Sequence, residues 1–327
     1  MNSLIWVLSD DRPGNYSQAI GLATALKRPF EIKKINYNIF SKLPNFLKLN
    51  GLYEIDEQSK EGLLKQSISP KIIISAGRKT ASIALYLKKY YGDVFLIQIM
   101  NSGGNLEKFD LVVLPEHDEI KEKDNIITSI GALSRIDNDL LEEEYKKFAT
   151  LIDKIKSPKI GLLIGGSSKH GKFDLKVGKE LIAMVNNIVT KTNVGLLIST
   201  SRRTDAEFVL ELKNNFDNDK NLFFQWQHGK PNPYFAILQA SDCLIVTGDS
   251  ISMCSEACSL GKLVYIFNPK EICSDKHLRL HNNLFSGDYA KKLNYDVDNL
   301  FFDHKNKLDE TNRISMKINK VLELKNL

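Results

Sequence analysis

Residues 240–266, ASDCLIVTGDSISMCSEACSLGKLVYI, contain the pattern that decides the fold. A short apolar run at 243–246 is followed by the polar break 247–250, and a second apolar run lies at 263–267. This spacing predicts a strand, a loop, a helix and a second strand, which together make a βαβ unit. Because parallel strands deliver their carboxyl ends to one edge of the sheet, the polar break is expected to face a ligand.

The helix of this unit has clear start and stop signals. Ser250 or Asp249 can cap a helix that begins near Ile251, and Gly261 can end it. Glu256 then lies within about two turns of the helix start. Its carboxylate can accept hydrogen bonds from a sugar diol, while the first-turn N–H groups can hold phosphate. A solvated glutamate on an ordinary helix is the alternative.

The rest of the chain alternates between short apolar runs and amphipathic helices, which is typical of open parallel sheets. Helices are predicted at 15–26, 141–156, 175–190 and 314–324, with a further helix that ends near residue 90. Strands are predicted at 4–8, 32–35, 72–75, 94–99, 111–114, 160–164, 195–199, 222–225, 243–246 and 263–267.

The length of 327 residues exceeds what one ordinary hydrophobic core needs, so two domains are expected. Residues 1–156 are predicted to form an acceptor-side domain, with the charged helix 141–156 as its last element. Residues 157–275 are predicted to form a second strand–helix domain, and 276–327, too long for a tail, are predicted to form a C-terminal segment with a helix at 314–324. The break at Ser157 and Pro158 marks the boundary.

Composition excludes several classes of function. The net charge of +5 is not concentrated in a basic block, so nucleic-acid binding is not predicted, although anionic ligands or a membrane surface suit it. The N-terminal run MNSLIWVLSDD is too short for a signal peptide or membrane anchor. Four cysteines without a CxxC pair favour a reduced cytoplasmic interior and no metal site.

The glycine-rich loop at 165–171 has neither the P-loop nor the GxGxxG spacing, which disfavours a kinase or a nicotinamide enzyme. Gly165, Gly166 and Ser167 nevertheless offer close backbone approach and a hydroxyl for a diphosphate or its sugar. A tight turn without a ligand is the alternative.

Two adjacent arginines follow the strand 195–199. Arg202 or Arg203, after Ser201, can grip phosphate bidentately, and the other can instead bind Asp205 or fix the interdomain geometry. Tyr234 can stack on a nucleobase, although a core aromatic at a proline-started helix is the favoured interpretation. The remaining donor-side residues lie in the opening βαβ unit: Gly248, Asp249, Ser250, Met253 and Glu256.

The first loop of the chain supplies the candidate catalytic base. Asp10 and Asp11 follow the first strand, and a carboxylate there can deprotonate an acceptor hydroxyl. Asp11 is preferred, because Asp10 adjoins the strand and can instead cap the turn. His117 with Asp118 is the rival base. The other acceptor-side residues are Gly14, Gln18, Gly77, Arg78 and Lys79, of which the two cations suit an anionic acceptor.

Several of these segments, taken in order, resemble one known family. They are LSDDRPGNYSQAIGLATAL, ISAGRKT, LPEHD, IGGSSKHG, STSRRTD and the stretch from NPYFAILQ to residue 267. The chain is similar to the mitochondrial-fission ELM family and its bacterial glycosyltransferase relatives. This resemblance implies a GT-B architecture, with two Rossmann-like domains, an interdomain cleft and a C-terminal segment that crosses back.

The resemblance also implies roles. In GT-B enzymes the carboxyl-terminal domain holds the nucleotide sugar, and Glu256 matches the glutamate that holds the ribose. Ser250 stands where many such enzymes have glycine. Gly14-Asn15 stands where family members often have Gly-His, so a histidine base cannot be carried over and the first-loop aspartates remain.

Two functions follow from the sequence. One is transfer of a sugar from a nucleotide-diphosphate donor to a cell-envelope glycan or glycolipid, with no tightly bound cofactor, in the cytoplasm or at the inner face of the membrane. The other is a non-catalytic adaptor that recruits partners to a membrane surface, as the plant members do in organelle division. Donor, acceptor, stereochemistry and oligomeric state are not set by the sequence.

Overall fold

The computed structural model describes residues 4–39, 52–66, 68–104, 106–120, 123–169, 171–295, 301 and 306–327. The chain divides into two compact units. Unit 1 comprises Met1–Arg135 and Asp309–Leu327, and unit 2 comprises Ile136–Leu308. Each unit contains one sheet of six parallel strands, so the predicted α/β fold with two Rossmann-like sheets is confirmed.

The sheet of unit 1 is apolar on both faces, as expected for parallel strands covered on both sides. Ile5 and Val7 lie in one hydrophobic cluster, whereas Trp6 and Leu8 lie in the other. The spatial order is β2-β1-β3-β4-β5-β6. The strands are β1 (Ile5–Ser9), β2 (Phe30–Lys34), β3 (Ile72–Ala76), β4 (Phe95–Ile99), β5 (Leu111–Pro115) and β6 (Ile126–Ser129).

The sheet of unit 2 has the spatial order β12-β11-β10-β7-β8-β9. Like the doubly wound dinucleotide-binding fold, it reverses direction beside its first strand, β7. The strands are β7 (Lys159–Leu163), β8 (Gly195–Ser199), β9 (Leu222–Phe224), β10 (Cys243–Thr247), β11 (Leu263–Phe267) and β12 (Lys291–Lys292).

Four of the described helices begin just after an aspartate whose side chain accepts a first-turn N–H. These aspartates are Asp56, Asp137, Asp174 and Asp205. Such caps satisfy N–H groups that have no partner inside the helix. The described helices are α1 (Pro13–Ala25), α2 (Glu57–Leu64), α3 (Gly77–Tyr91), α4 (Asn138–Ile152), α5 (Leu175–Thr192), α6 (Ala206–Phe216), α7 (Tyr234–Ala240), α8 (Ile251–Cys258), α9 (Asp275–Ser286) and α10 (Glu310–Leu324).

The units divide the chain differently from the predicted boundaries. Helix α4, expected as the last element of the first domain, belongs to unit 2 and packs extensively against α7. Residues 276–308 also belong to unit 2, where α9 packs on α8 and β12 extends the sheet. Of the predicted C-terminal segment, only α10 belongs to unit 1.

Helix α10 is an integral part of the core of unit 1. Ile314, Ile318 and Leu322 are fully buried there, in the same cluster as the inner face of α1. The buried Glu310 accepts a hydrogen bond from the Ile130 N–H at 2.6 Å and two from the Arg313 guanidinium, each at 2.7 Å. The C-terminal helix therefore completes the core around the first sheet.

Candidate functional site

The strand order of unit 2 reverses between β7 and β10, and this switch point is where open α/β sheets bind ligands. The loop after β7 contains Gly165, Gly166 and Ser167, and the loop after β10 contains Gly248 and Asp249. The loop after β8 adds residues 201–204. The structure thus brings three of the predicted donor-side loops to one edge of the sheet, which we call the unit 2 edge.

The two glycines of the first loop direct their N–H groups into the protein. Gly165 donates to the Thr247 hydroxyl at 2.8 Å, and Gly166 donates to Asp249 Oδ2 at 2.9 Å. A methyl group at Gly165 would lie 2.2 Å from the Asp249 carboxylate, and one at Gly166 would lie 2.0 Å from the Arg203 carbonyl oxygen. Glycine is therefore required here for loop packing, and these N–H groups are not displayed for phosphate as the sequence suggested.

Arg203 ties the three loops together. Its guanidinium donates to the carbonyl oxygens of Gly166 at 2.8 Å and Ser167 at 3.2 Å, and to Asp249 Oδ2 at 2.7 Å. The Asp249 side chain is 1% exposed. Since a buried charge needs a partner, the pair holds the loops after β7, β8 and β10 in one arrangement.

Ser201 and Thr204 complete this lock, because both hydroxyls donate to the Gly165 carbonyl oxygen, at 2.8 and 2.5 Å. Arg202 differs from its neighbour: its side chain is exposed and has no hydrogen-bond partner among the described residues. The structure therefore separates the two arginines, with Arg203 holding the loops and Arg202 open to a ligand.

Helix α8 carries the predicted ribose carboxylate. Ser250 caps the helix by accepting the Met253 N–H at 3.4 Å. Glu256 is 7% exposed, and its Oε2 accepts a hydrogen bond from the Tyr234 hydroxyl at 2.7 Å. Burial raises the pKa of Tyr234 well above its ordinary value of 10.0, and the charge of the neighbouring Glu256 carboxylate adds a smaller effect in the same direction. Tyr234 is thus a neutral donor to Glu256.

Gly248 lies against a buried histidine that the sequence did not single out. A methyl group at Gly248 would lie 2.6 Å from His281 Cε1 and 3.0 Å from Asn268 Cβ. His281 Nε2 lies 3.8 Å from Cys254 Sγ, and its Nδ1 lies 3.4 Å from Asn268 Nδ2. Burial raises the pKa of the Cys254 thiol well above its ordinary value of 9.0, so this thiol is an unreactive core group.

Unit 1 has its own switch point, between β1 and β3. Asp10 follows β1 and is 8% exposed. Its Oδ1 accepts the Arg12 N–H at 3.1 Å and its Oδ2 accepts the Asn15 amide at 2.9 Å. Burial raises the pKa of Asp10 above its ordinary value of 3.8, against the opposing effect of these two hydrogen bonds. Asp10 therefore caps the turn and also keeps an increased affinity for a proton.

Asp11 lies in a different environment. Its side chain is 68% exposed, with Oδ1 3.5 Å from the Lys79 ammonium. The same ammonium lies 4.3 Å from the ring centre of Tyr37, whose buried hydroxyl has no hydrogen-bond partner among the described residues. Burial, followed by the charges of Asp10, Asp11 and Glu54, raises the pKa of Tyr37 above its ordinary value of 10.0.

The other acceptor-side residues flank the same switch point. Gly77 has a φ of +77°, and a methyl group there would lie 2.8 Å from the Asn15 amide nitrogen. Gln18 donates to the Gly14 carbonyl oxygen at 3.3 Å and approaches Met100 Sδ at 3.4 Å. Arg78 is exposed at the start of α3, and its side chain lies against Gly103.

His117 and Asp118 do not join this group. They form a short 3-10 turn after β5, and His117 is buried. Because β3 and β4 separate β5 from β1, the turn begins about 14 Å from Asp10, at roughly 4.8 Å per strand. The rival base suggested by the sequence is thus far from the first loop.

Residues that hold these loops were missed in the sequence. Thr204 and Thr247 at the unit 2 edge and Asn15 in unit 1 lie in segments that the sequence singled out, but they received no role, and Tyr37 lies outside those segments. Among the described residues there is no group of three or more acidic, cysteine or histidine side chains placed to hold a metal. Within the same ranges no helix is long and apolar enough to cross a bilayer.

Two parallel six-stranded sheets, each with polar loops at its switch point, define an α/β protein with the GT-B type of fold. A solved structure agrees: the UDP-GlcNAc 2-epimerase of Neisseria meningitidis bound to UDP-GlcNAc superposes with a TM-score of 0.54. The sequences are 12% identical, and the match covers 98% of this chain and 99% of the epimerase.

This chain belongs to the mitochondrial fission ELM1 family, whose model matches residues 13–322. An uncharacterized protein of Rickettsia prowazekii, RP120, is 30% identical over 97% of this chain and 99% of its own length. The mitochondrial fission protein ELM1 of Arabidopsis thaliana is 28% identical over 67% of this chain and 57% of the plant protein. The family resemblance seen in the sequence motifs is confirmed.

Proposed function

We propose that this protein is a glycosyltransferase that binds a nucleotide-diphosphate sugar at the unit 2 edge and transfers the sugar to a cell-envelope glycan or glycolipid. The observation that carries this proposal is the convergence, at one switch point, of a buried carboxylate on α8 and an exposed arginine beside rigid glycine loops. The Neisseria epimerase with the same fold binds UDP-GlcNAc, which makes a UDP-sugar the first donor to test. The expected location is the cytoplasm or the inner face of the membrane.

The donor roles divide between few residues. Glu256 accepts hydrogen bonds from the ribose, and Arg202 grips the diphosphate, assisted by first-turn N–H groups of α8. Arg203 and Asp249 act indirectly, because their contacts are already made inside the protein. Their contribution is a loop arrangement that exists before the ligand binds and therefore costs little to form on binding.

The proposed base lies in the first loop of unit 1. A general base works best when its pKa lies near the operating pH, so a carboxyl group with a raised pKa is favoured. Asp10 has this property and Asp11 is a solvent-exposed partner of Lys79. The geometry therefore favours Asp10, whereas the sequence favoured Asp11.

An adaptor that binds protein partners at a membrane surface is the second candidate function. The Arabidopsis relative is named as a mitochondrial fission protein, and this name specifies no catalytic activity. Several polar groups of the unit 2 edge are also satisfied inside the protein, which is compatible with a fold that has kept its scaffold without turnover. The two functions are separated by measuring nucleotide binding and turnover.

The test of the proposed function begins with thermal unfolding of the full chain in the presence of UDP, UDP-sugars and other nucleotides. A ligand at 100 times its dissociation constant should add about 2.7 kcal/mol of stability. Glu256→Ala should weaken binding of the best nucleotide by about 1.5 to 3 kcal/mol in a calorimetric titration. If Glu256→Ala bound the nucleotide as tightly as the wild type, Glu256 would not be part of the site.

Turnover is then followed as nucleotide released from UDP-sugar with envelope glycolipid extracts as acceptors. Transfer of the sugar to lipid supports the transferase, whereas nucleotide release without sugar in the lipid fraction indicates hydrolysis of the donor. Arg202→Lys should weaken UDP binding and leave uridine binding nearly unchanged, because lysine lacks the planar fork that grips two phosphate oxygens. Absence of nucleotide binding and turnover in the wild type would favour the adaptor.

A further inference from the structure

The Tyr234–Glu256 hydrogen bond joins two helices at the unit 2 edge. The two residues are 22 positions apart in the sequence, on α7 and α8, and the Tyr234 hydroxyl lies 2.7 Å from Glu256 Oε2. Glu256 is more than nine-tenths buried. A buried carboxylate is stable only with hydrogen-bond donors, and the tyrosine hydroxyl supplies one of them.

Both helices that carry the pair are fixed at their ends. The Lys262 ammonium donates to the carbonyl oxygens of Leu238, Gln239 and Ser241 at 2.6 to 2.9 Å, at the C-terminal end of α7. Helix α7 begins at Tyr234 itself, and α8 begins at its Ser250 cap. The hydroxyl and the carboxylate therefore meet on anchored helices, and their hydrogen bond restrains the Glu256 side chain.

The Tyr234 hydroxyl occupies one acceptor direction of the Glu256 carboxylate. The two oxygens of a carboxylate offer about four such directions, so this bond by itself does not fill the group. A vicinal diol needs acceptors whose directions are fixed, since a freely turning side chain loses entropy on binding. A carboxylate held by Tyr234 meets this condition.

We propose that Tyr234 is a positioning residue that orients Glu256 toward the ribose diol and so makes the site selective for ribonucleotides over 2′-deoxyribonucleotides. This inference rests on the proposed function and adds to it the part of the donor that the site discriminates. Tyr234 does not stack on the base in this scheme. It acts through Glu256, and its effect depends on the ribose hydroxyls.

The test uses calorimetric titration of the full chain with UDP and 2′-deoxy-UDP. The wild type should prefer UDP by about tenfold or more, the size of one hydrogen bond to a charged group. Tyr234→Phe should reduce this preference to about threefold or less, mainly by weakening the binding of UDP. In the Glu256→Ala background, Tyr234→Phe should change the preference no further, because the group through which it acts is absent.

Tyr145→Phe is the matched control, since it removes a tyrosine–carboxylate hydrogen bond to Asp153 on the surface of the same unit. It should leave both affinities unchanged, and thermal unfolding should show that every variant is folded. Equal weakening of UDP and 2′-deoxy-UDP by Tyr234→Phe would overturn the inference and leave nucleotide binding standing. An unchanged preference in Tyr234→Phe would overturn it as well. A wild type that binds neither of these two nucleotides would also overturn it, and the proposed function would fail with it only if the wild type bound none of the other nucleotides in the thermal-unfolding test either.

Discussion

Asp249 and Asp10 occupy comparable places in the two units and have different surroundings. Each lies just beyond a strand that borders the switch point of its sheet, and each is buried, with 4% and 8% of its surface exposed. Asp249 is paired with the Arg203 guanidinium and accepts hydrogen bonds from Gly166 and Thr247. Among the described residues, Asp10 accepts only from uncharged groups, a backbone N–H and the Asn15 amide.

This difference separates structural from chemical use of a buried carboxylate. The Arg203 guanidinium pairs with Asp249, and the pair holds three loops in one arrangement. Burial without a full counter-charge raises the pKa of Asp10, so this group can exchange a proton closer to neutral pH. The same architecture thus provides a set of tied loops in one unit and a titratable carboxyl group in the other.

The largest expected effect comes from removing the cation that Asp249 requires. Arg203→Ala leaves a buried carboxylate unpaired, and breaking such a pair costs about 3 to 5 kcal/mol. The chain has two tryptophans, Trp6 in unit 1 and Trp226 in unit 2. Urea unfolding followed by Trp226 fluorescence in a Trp6→Phe background should show the loss.

Arg202→Ala is the neighbouring control, because its side chain is exposed and loses no hydrogen bond to the described residues. It should change the stability of unit 2 by no more than about 0.5 kcal/mol. If the two alanine variants destabilised unit 2 equally, the structural division between the arginines would be wrong.

The fold could be predicted from the sequence because its strands are short apolar runs. Strands β8 and β11 have the predicted bounds, 195–199 and 263–267. Strand β6 was missed because its residues are mostly half-buried and include Thr128, and β12 was missed because it consists of two exposed lysines. Strands of this kind are defined by their neighbours in the sheet, which periodicity does not show.

The sequence pointed to the loops that meet at the unit 2 edge but not to the contacts within them. Adjacent arginines look alike in a sequence, and only the loop geometry directs Arg203 inward and Arg202 outward. The Tyr234–Glu256 pair spans 22 residues and belongs to no motif. Helix α4 was assigned to the wrong side of the boundary because its apolar stripe predicts burial without naming the partner, which is α7.

The two aspartates of the first loop, Asp10 and Asp11, should contribute unequally to turnover. If the Asp10 carboxyl is the base, Asp10→Asn should lower transfer by about 100-fold or more, the range of a lost general base. Asp11→Asn should have a smaller effect, because the exposed group already pairs with Lys79. Released nucleotide measures the rate, with donor affinity and circular dichroism as controls. A larger loss in Asp11→Asn would restore the assignment favoured by the sequence.

Gly166 in unit 2 and Gly77 in unit 1 should both be needed for stability, for different reasons. Gly166→Ala places a methyl group against the backbone of Arg203, which must move, and should cost about 1 to 3 kcal/mol of unit 2 stability. Gly77→Ala meets the movable Asn15 side chain but must adopt a positive φ, at a cost of about 1 to 2 kcal/mol. Trp226 and Trp6 fluorescence report the two losses separately.

The two glycine variants should also differ in binding. Gly166→Ala should weaken UDP binding, because it displaces the loop that Arg203 holds. Gly77→Ala should leave the affinity for UDP unchanged. Normal UDP binding by a folded Gly166→Ala variant would show that the rigid loop arrangement is not needed for the donor.

The smallest expected effect is the pH dependence of the stability that Asp10 contributes. The pKa of Asp10 is raised in the folded state, so between its ordinary value of 3.8 and the raised value the folded chain binds more protons than the unfolded chain. The stability that Asp10 contributes is therefore present at low pH and is lost as the pH rises through the raised pKa. The effect should stay small, because the hydrogen bonds from Arg12 and Asn15 lower the pKa and oppose burial.

Asp10→Asn has no charge at any pH, so its stability relative to the wild type should improve as the pH rises through this window. The measurement is urea unfolding from about pH 3.5 to 7, a range that brackets the ordinary carboxyl pKa and neutrality, followed by Trp6 fluorescence in a Trp226→Phe background. Asp249→Asn, read through Trp226, should lower the stability of unit 2, because it removes the carboxylate charge that Arg203 pairs with. If the stability of Asp10→Asn relative to the wild type did not change with pH, the raised pKa of Asp10 would make no contribution to stability, and the distinction between the two carboxyl groups would fail.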